Sequence, residues 1–328
     1  MLVLTVSLGC GRLTPEKKAA FEYKFKKGAS RVTETKTAVN LHFSKLSLPA
    51  PAAANADGGS PAQHEKVVSP QPSLVPEEIT ELVRQGKLKS AGFECRMRSD
   101  QMTAEVHKKE EYADIYARNE LVDFRLQVNG LAVPSGGIVA LIGGMTGEGE
   151  IIKRDRNGGL RSLPRIMGLA IPNSDDPYLG RLMEYIRNAP SYPAEPMSVG
   201  QTWSQVLSIL VPVDSLSDGQ SKGFIRVEAV NKNTLEKVQK GIAYVKTDLS
   251  LVVAWDVTVP EQGRTRLSLT LTGDGYRMFD LKKGWECGMF AKGGVKLDLN
   301  AEAREKTGRK THTLVNADGT FEVAGKLL

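Results

Sequence analysis

From Tyr192 to the carboxy terminus the chain alternates apolar and polar residues in short runs, with no helical segment between them. A period of two places successive side chains on opposite faces of an extended strand. Residues 205–213, 223–230, 241–247, 249–259, 264–272, 276–281, 285–290, 295–300, 310–314 and 320–323 each read as a strand. Turn dipeptides separate them, among them Asp218-Gly219, Gly293-Gly294 and Asp318-Gly319. Many closely spaced strands without intervening helices imply antiparallel pairing in a sandwich or an open barrel. The expected fold is therefore mainly β: a β-rich α+β chain of antiparallel sheets, built as a sandwich or open half-barrel with two short helices.

The amino-terminal half carries the same signal. Phe21, Tyr23 and Phe25 alternate with Glu22, Lys24 and Lys26, as in a half-buried strand, and Lys27-Gly28 turns the chain into a Thr/Val-rich strand over residues 32–43. Residues 47–76 change to Pro, Ala, Ser, Gly and Asn, a composition that buries too little apolar surface to offset ordering, so a flexible loop is expected. Pro76-Glu77-Glu78 opens a short helix that ends near Gly86. Strands follow at 92–98, 102–107, 121–128 and 138–142. A second helix, capped by Asp175 or Asp176 and entered at Pro177, repeats Leu179, Leu182, Met183 and Ile186 at helical spacing and stops before Pro190. An internal echo links Gly147-Glu148-Gly149, Asp155 and Gly159 to Gly273-Asp274-Gly275, Asp280 and Gly284. It suggests two related β-rich halves, residues 21–190 and 191–328.

Residues 1–10 are an apolar run closing on Cys10. Leu2, Val3, Leu4, Val6 and Leu8 resemble the core of an export signal, and Ser-Leu-Gly-Cys is similar to a bacterial lipobox in which Cys10 takes the lipid. No Lys or Arg precedes the run, and Ser7 stands where lipoboxes usually carry Leu. The alternative is a buried strand over residues 2–8 opening a cytosolic domain. Residues 11–20 would then be a short tether, and the expected partner is a membrane of the bacterial envelope, reached through the lipid. No run approaches the roughly 18 apolar residues of a spanning helix.

With 328 residues, 41% apolar and 25% charged, the chain can build one large domain or two ordinary ones. Its net charge of +6 is confined to residues 1–50, which hold nine basic against three acidic side chains. That strip suits either anionic headgroups or an edge strand guarded by lysines. It follows no nucleic-acid reader motif, so no nucleic acid is expected as partner. Three cysteines are too few for a disulfide scaffold; Cys95 and Cys287 are free to pair or to remain thiols.

Residues 143–149 are glycine-rich but lack the Lys-Ser/Thr of a phosphate loop, and Glu150 to Arg154 alternate like a strand. His42, His64, His107 and His312 share no metal-ligand spacing with a Cys or carboxylate, and no nucleophile elbow is present. The expectation is a non-enzymatic protein without cofactor or metal. The competing reading is an envelope hydrolase whose active site is assembled in space around His107 or His312. Phe224, Tyr244, Trp255, Tyr276, Phe279 and Trp285 fall on neighbouring expected strands. They read either as a sandwich core or as the lining of a half-barrel that holds an apolar ligand.

The segment from Pro193 to Trp203, Pro-Ala-Glu-Pro-Met-Ser-Val-Gly-Gln-Thr-Trp, resembles the Pro-x-x-Pro-Val-x-x-Gly-Asp-x-Trp phrase of a family of uncharacterised exported bacterial envelope proteins and lipoproteins. Phe25-Lys26-Lys27-Gly28 and Phe279-Asp280-Leu281-Lys282-Lys283-Gly284 are similar to other stretches of that family. Met197 and Gln201 replace its usual Val and Asp. The resemblance implies an envelope location and carries over no catalytic residue.

Overall fold

The computed structural model describes residues 18–47, 81–82, 85–136, 139, 149–161, 184, 192–213, 221–260, 263–304 and 310–328. Cys10, the expected loop at 47–76 beyond Ser47, the strand at 138–142 and the helix before Pro190 lie outside these residues, apart from single positions.

Eleven strands form one antiparallel sheet. In chain order they are β1 Ser30–Ser47, β2 Ser90–His107, β3 Tyr112–Val128, β4 Leu131–Val133, β5 Gly149–Asp155, β6 Thr202–Pro212, β7 Lys222–Gln239, β8 Ile242–Val259, β9 Gly263–Asp280, β10 Trp285–Arg304 and β11 Lys310–Leu327. Across the sheet the order is β4-β3-β2-β1-β11-β10-β9-β8-β7-β6, with β5 pairing the other end of β3. Each expected half is a meander, and the two merge through antiparallel pairing of β1 with β11. A sandwich is thereby replaced, among the described residues, by a single open sheet. Strands of 18 residues rise about 3.3 Å per residue and span roughly 60 Å.

The long strands correct the expected boundaries. Residues 241–247 and 249–259 form one strand, as do 264–272 with 276–281, 285–290 with 295–300, and 310–314 with 320–323. Gly293-Gly294 and Asp318-Gly319, which look like turns, sit in mid-strand. Gly273 lies opposite Gly293, and Val295 opposite Gly319. The Phe321 ring lies over this glycine floor: a Cβ built at Gly273 would stand 2.9 Å from it, and one at Gly293 2.7 Å. Glycine here makes room for an aromatic side chain instead of a bend. True two-residue turns occur at Asn129-Gly130 and Lys240-Gly241, where both residues have positive φ.

Residues 18–29 form no strand of the sheet despite their alternation. They run as a strap across one end. Ala19 exchanges backbone hydrogen bonds with Met197, just ahead of β6 (2.7 and 2.9 Å), and Tyr23 N–H donates to the Arg156 carbonyl just beyond β5 (2.7 Å). Further on, Lys24 N–H reaches Gly284 and Gly28 N–H reaches Thr103. Beside the strap, Tyr192 N–H donates to the Asn157 carbonyl at 2.7 Å. The segments flanking the two edges are thus bonded to each other at this end, so the sheet must be rolled there. Phe21, Tyr23, Tyr192, Leu235, Val245, Phe279 and Trp285 fill the rolled end as its largest buried core.

Candidate functional site

The registers sort the side chains into two faces with different chemistry. Along β8, Leu249, Leu251, Val253, Trp255 and Val257 share one face, while Lys246, Asp248, Ser250 and Asp256 share the other. Directly opposed residues of paired strands lie on the same face, so the apolar register can be followed sideways. Leu251 faces Ala229 on β7 and Leu271 on β9, and those face Leu207 on β6 and Val295 on β10. One step along, Val253 aligns with Val227, Ile209, Leu269 and Leu297. On the other meander Val39, Phe93 and Leu126 continue the same face. Most of these side chains are half-buried, as on a surface whose residues shield only one another. The opposite face carries cross-strand ion pairs such as Arg264–Asp256 at 2.6 Å and Lys36–Glu94 at 3.1 Å.

The six aromatic residues expected to line one cavity are divided by this parity. Trp255 lies on the apolar face, and Phe279 and Trp285 are buried in the rolled end. Phe224, Tyr244 and Tyr276 lie on the charged face, where Phe224 opposes Asp256, Lys237 sits 4.7 Å from the Tyr244 ring, and Tyr276 opposes Lys246. They do not share a lining with the other three, because even and odd positions of one strand point oppositely. Cys95, on the apolar face, and Cys287, at a bulge of β10, are both free thiols, and burial raises the pKa of each.

Polar groups interrupt the apolar register at the rolled end. Arg277 occupies the face shared by Leu269 and Leu271, and is paired with Glu286. Tyr192 Oη donates to the same Glu286 at 2.6 Å. Burial alone would raise the Glu286 carboxyl, but Arg277 and the Tyr192 hydroxyl outweigh it and hold the pKa below the usual range. Burial pushes the Tyr23 and Tyr192 hydroxyls well above theirs, so both stay neutral. Arg154, opposite Ala113 on the apolar face, reaches Tyr23 Oη at 3.3 Å through Nη1, yet its Nε is buried without a hydrogen-bond partner. Arg31 lies over the Trp285 ring at 3.3 Å, and Arg154 is 5.8 Å from that ring. Desolvation, with the neighbouring Arg154 charge, lowers the Arg31 pKa to about 10. A cavity of about 140 Å³ opens here, lined by Tyr23, Thr33, Thr35, Gln101, Arg154 and Glu286 among others.

A second polar cluster lies on the charged face. The bulge beside Thr103 shifts the register, so that Glu105 comes opposite Asp114, with His107 two residues on. Donor atoms of Glu105, His107 and Asp114 lie within 4.8 Å of one another, a set that a divalent cation could accept. Lys153 stands opposite Asp114 on β5 and supplies positive charge beside it. Sequence spacing hides this cluster because a returning strand delivers Asp114. The His107 ring hydrogen-bonds Asp114 at 3.1 Å and His312 bonds Asn300 at 2.9 Å. Gly149–Asp155 is strand β5, as the alternation after the glycine-rich stretch implies.

No family matches this chain, and no curated protein matches it in sequence. Among the described residues no helix is long and apolar enough to cross a membrane.

Proposed function

We propose that this is a non-enzymatic, exported envelope protein whose sheet shelters an apolar ligand of the lipid class on its inner face. The observation that carries the reading is the width of the apolar register, from β6 across to β3, with Thr33, Thr35 and Thr37 of β1 as a polar stretch within it. A domain core needs an opposing layer, whereas the two layers of a sandwich are absent among the described residues. An open sheet with one apolar and one charged face, rolled at one end, suits an elongated hydrocarbon better than a compact polar substrate.

The export part of the reading rests on residues 1–10. A diacylated Cys10 would bring the basic strip of residues 1–50 close to anionic headgroups. Two experiments address the two parts separately. Native mass spectrometry of detergent-free protein is expected to reveal a bound lipid. Protein that stays empty after incubation with lipid vesicles would remove the ligand reading. Fractionation of Cys10→Ser is expected to release the protein from membranes, and undiminished retention would remove the anchor.

A further inference from the structure

We infer that the rolled end of the sheet holds the headgroup of the ligand, and that this headgroup is a carboxylate: the ligand class is a long-chain fatty acid. The inference rests on the apolar-ligand reading above and adds the chemistry of one end. Three guanidinium groups, those of Arg31, Arg154 and Arg277, gather where the apolar register stops. Among the described residues Glu286 is the one carboxylate hydrogen-bonded within this group, and it is taken by Arg277 and Tyr192. Tyr23 and Tyr192 remain neutral, so three guanidinium groups share the one Glu286 carboxylate, which Arg154 influences through space without an ion pair. Arg31 and Arg154 form no ion pair among the described residues, although both approach the same indole ring.

Three half-buried guanidinium groups sharing one carboxylate beside an aromatic core leave an excess of positive charge that a bound anion would offset. Arg154 Nε is a buried donor with nothing to donate to. Trp203 Nε1 and Asn233 Nδ2, opposite each other at this end of β6 and β7, are buried donors without a partner too, outside the lining of the cavity beside Arg154. Unused donors call for an acceptor, and a carboxylate offers about four lone-pair sites to a guanidinium fork.

Direction narrows the class. The cavity of about 140 Å³ has room for several waters, and a carboxylate fits that space. Met289, Thr35 and Gly325 at its rim lead along their strands to Ala291, Thr37 and Val323, then to the Phe321 floor. A chain anchored by its carboxylate would therefore lie along the apolar face toward Leu251 and Leu271.

The test compares palmitic acid with hexadecanol, which share a hydrocarbon chain, by titration of the full chain near neutral pH. The acid should bind about 10- to 100-fold more tightly, the range expected when a charge-assisted hydrogen bond is gained. Arg154→Gln and Arg31→Gln should each remove most of that preference while leaving hexadecanol binding unchanged. Arg154→Lys, which retains the charge, should restore part of it. Equal binding of acid and alcohol, or a preference untouched in both glutamine variants, overturns the headgroup assignment and leaves the apolar face standing. Failure of both ligands to bind removes both readings.

Discussion

Replacing Phe21 by alanine tests whether the strap holds the rolled end together. Phe21 is 3% exposed although it belongs to no strand. Its ring stacks on Tyr192 at 4.6 Å and meets Phe279 edge-on at 5.6 Å. Truncating a buried phenylalanine typically costs about 3–5 kcal/mol, of which each aromatic pair supplies roughly 0.5–1.5. At ~2 °C per kcal/mol for a chain of this size, the melting temperature should fall by about 6–10 °C. The damage should be local as well. Amide exchange should quicken at Gly200 and Tyr192, whose N–H groups bond Leu235 and Asn157, before it quickens at the β9–β10 ladder. A loss below about 1 kcal/mol, or exchange that rises uniformly along the sheet, would refute the strap as a structural tie.

Other outcomes follow from the same geometry. Gly293→Val should cost about 2 kcal/mol or more in denaturant unfolding, since its Cβ would meet the backbone of Thr272 and Gly273 as well as the Phe321 ring at 2.7 Å; an unchanged midpoint would contradict the close packing at this glycine. Glu286 contributes a pH dependence of definite sign. Its folded pKa is depressed, so its stabilisation is complete above the unfolded carboxylate value near ~4.3 and is lost as pH falls through the folded value. Glu286→Gln should flatten that acid limb and cost about 2–4 kcal/mol at neutral pH by removing the carboxylate that pairs with Arg277. An acid limb of unchanged steepness in the variant would show that other carboxylates produce it.

Strand character was legible in the sequence because alternation is local. The lengths of the strands were not, since Gly273 and Gly293 carry turn chemistry and only their cross-strand neighbours reveal a floor beneath Phe321. The alternation of Phe21 and Tyr23 was readable as burial. Their role as a strap depends on Met197, Arg156 and Gly284, all remote in sequence. The aromatic set divides by parity, a signal already present in β9, where Tyr276 and Phe279 sit an odd number of residues apart. The rolled-end cations also left a trace: Arg277 stands in the register of Leu267, Leu269 and Leu271, where an arginine is out of pattern. At both ends of the internal echo the aspartate closes a turn. Asp155 Oδ1 accepts from Asn157 and Gly159 N–H, as Asp280 Oδ1 accepts from Lys282 and Lys283 N–H.

On the proposed reading one face of the sheet binds hydrocarbon and the other faces water. Leu269 and Thr270 are neighbours in β9 whose side chains point to the apolar and charged faces respectively. Native mass spectrometry of Leu269→Asp and Thr270→Asp, each incubated with palmitic acid and each shown to fold by near-ultraviolet circular dichroism, separates the faces. Ligand lost from Leu269→Asp and retained by Thr270→Asp is the result this account predicts. Equal retention by two folded variants would contradict it.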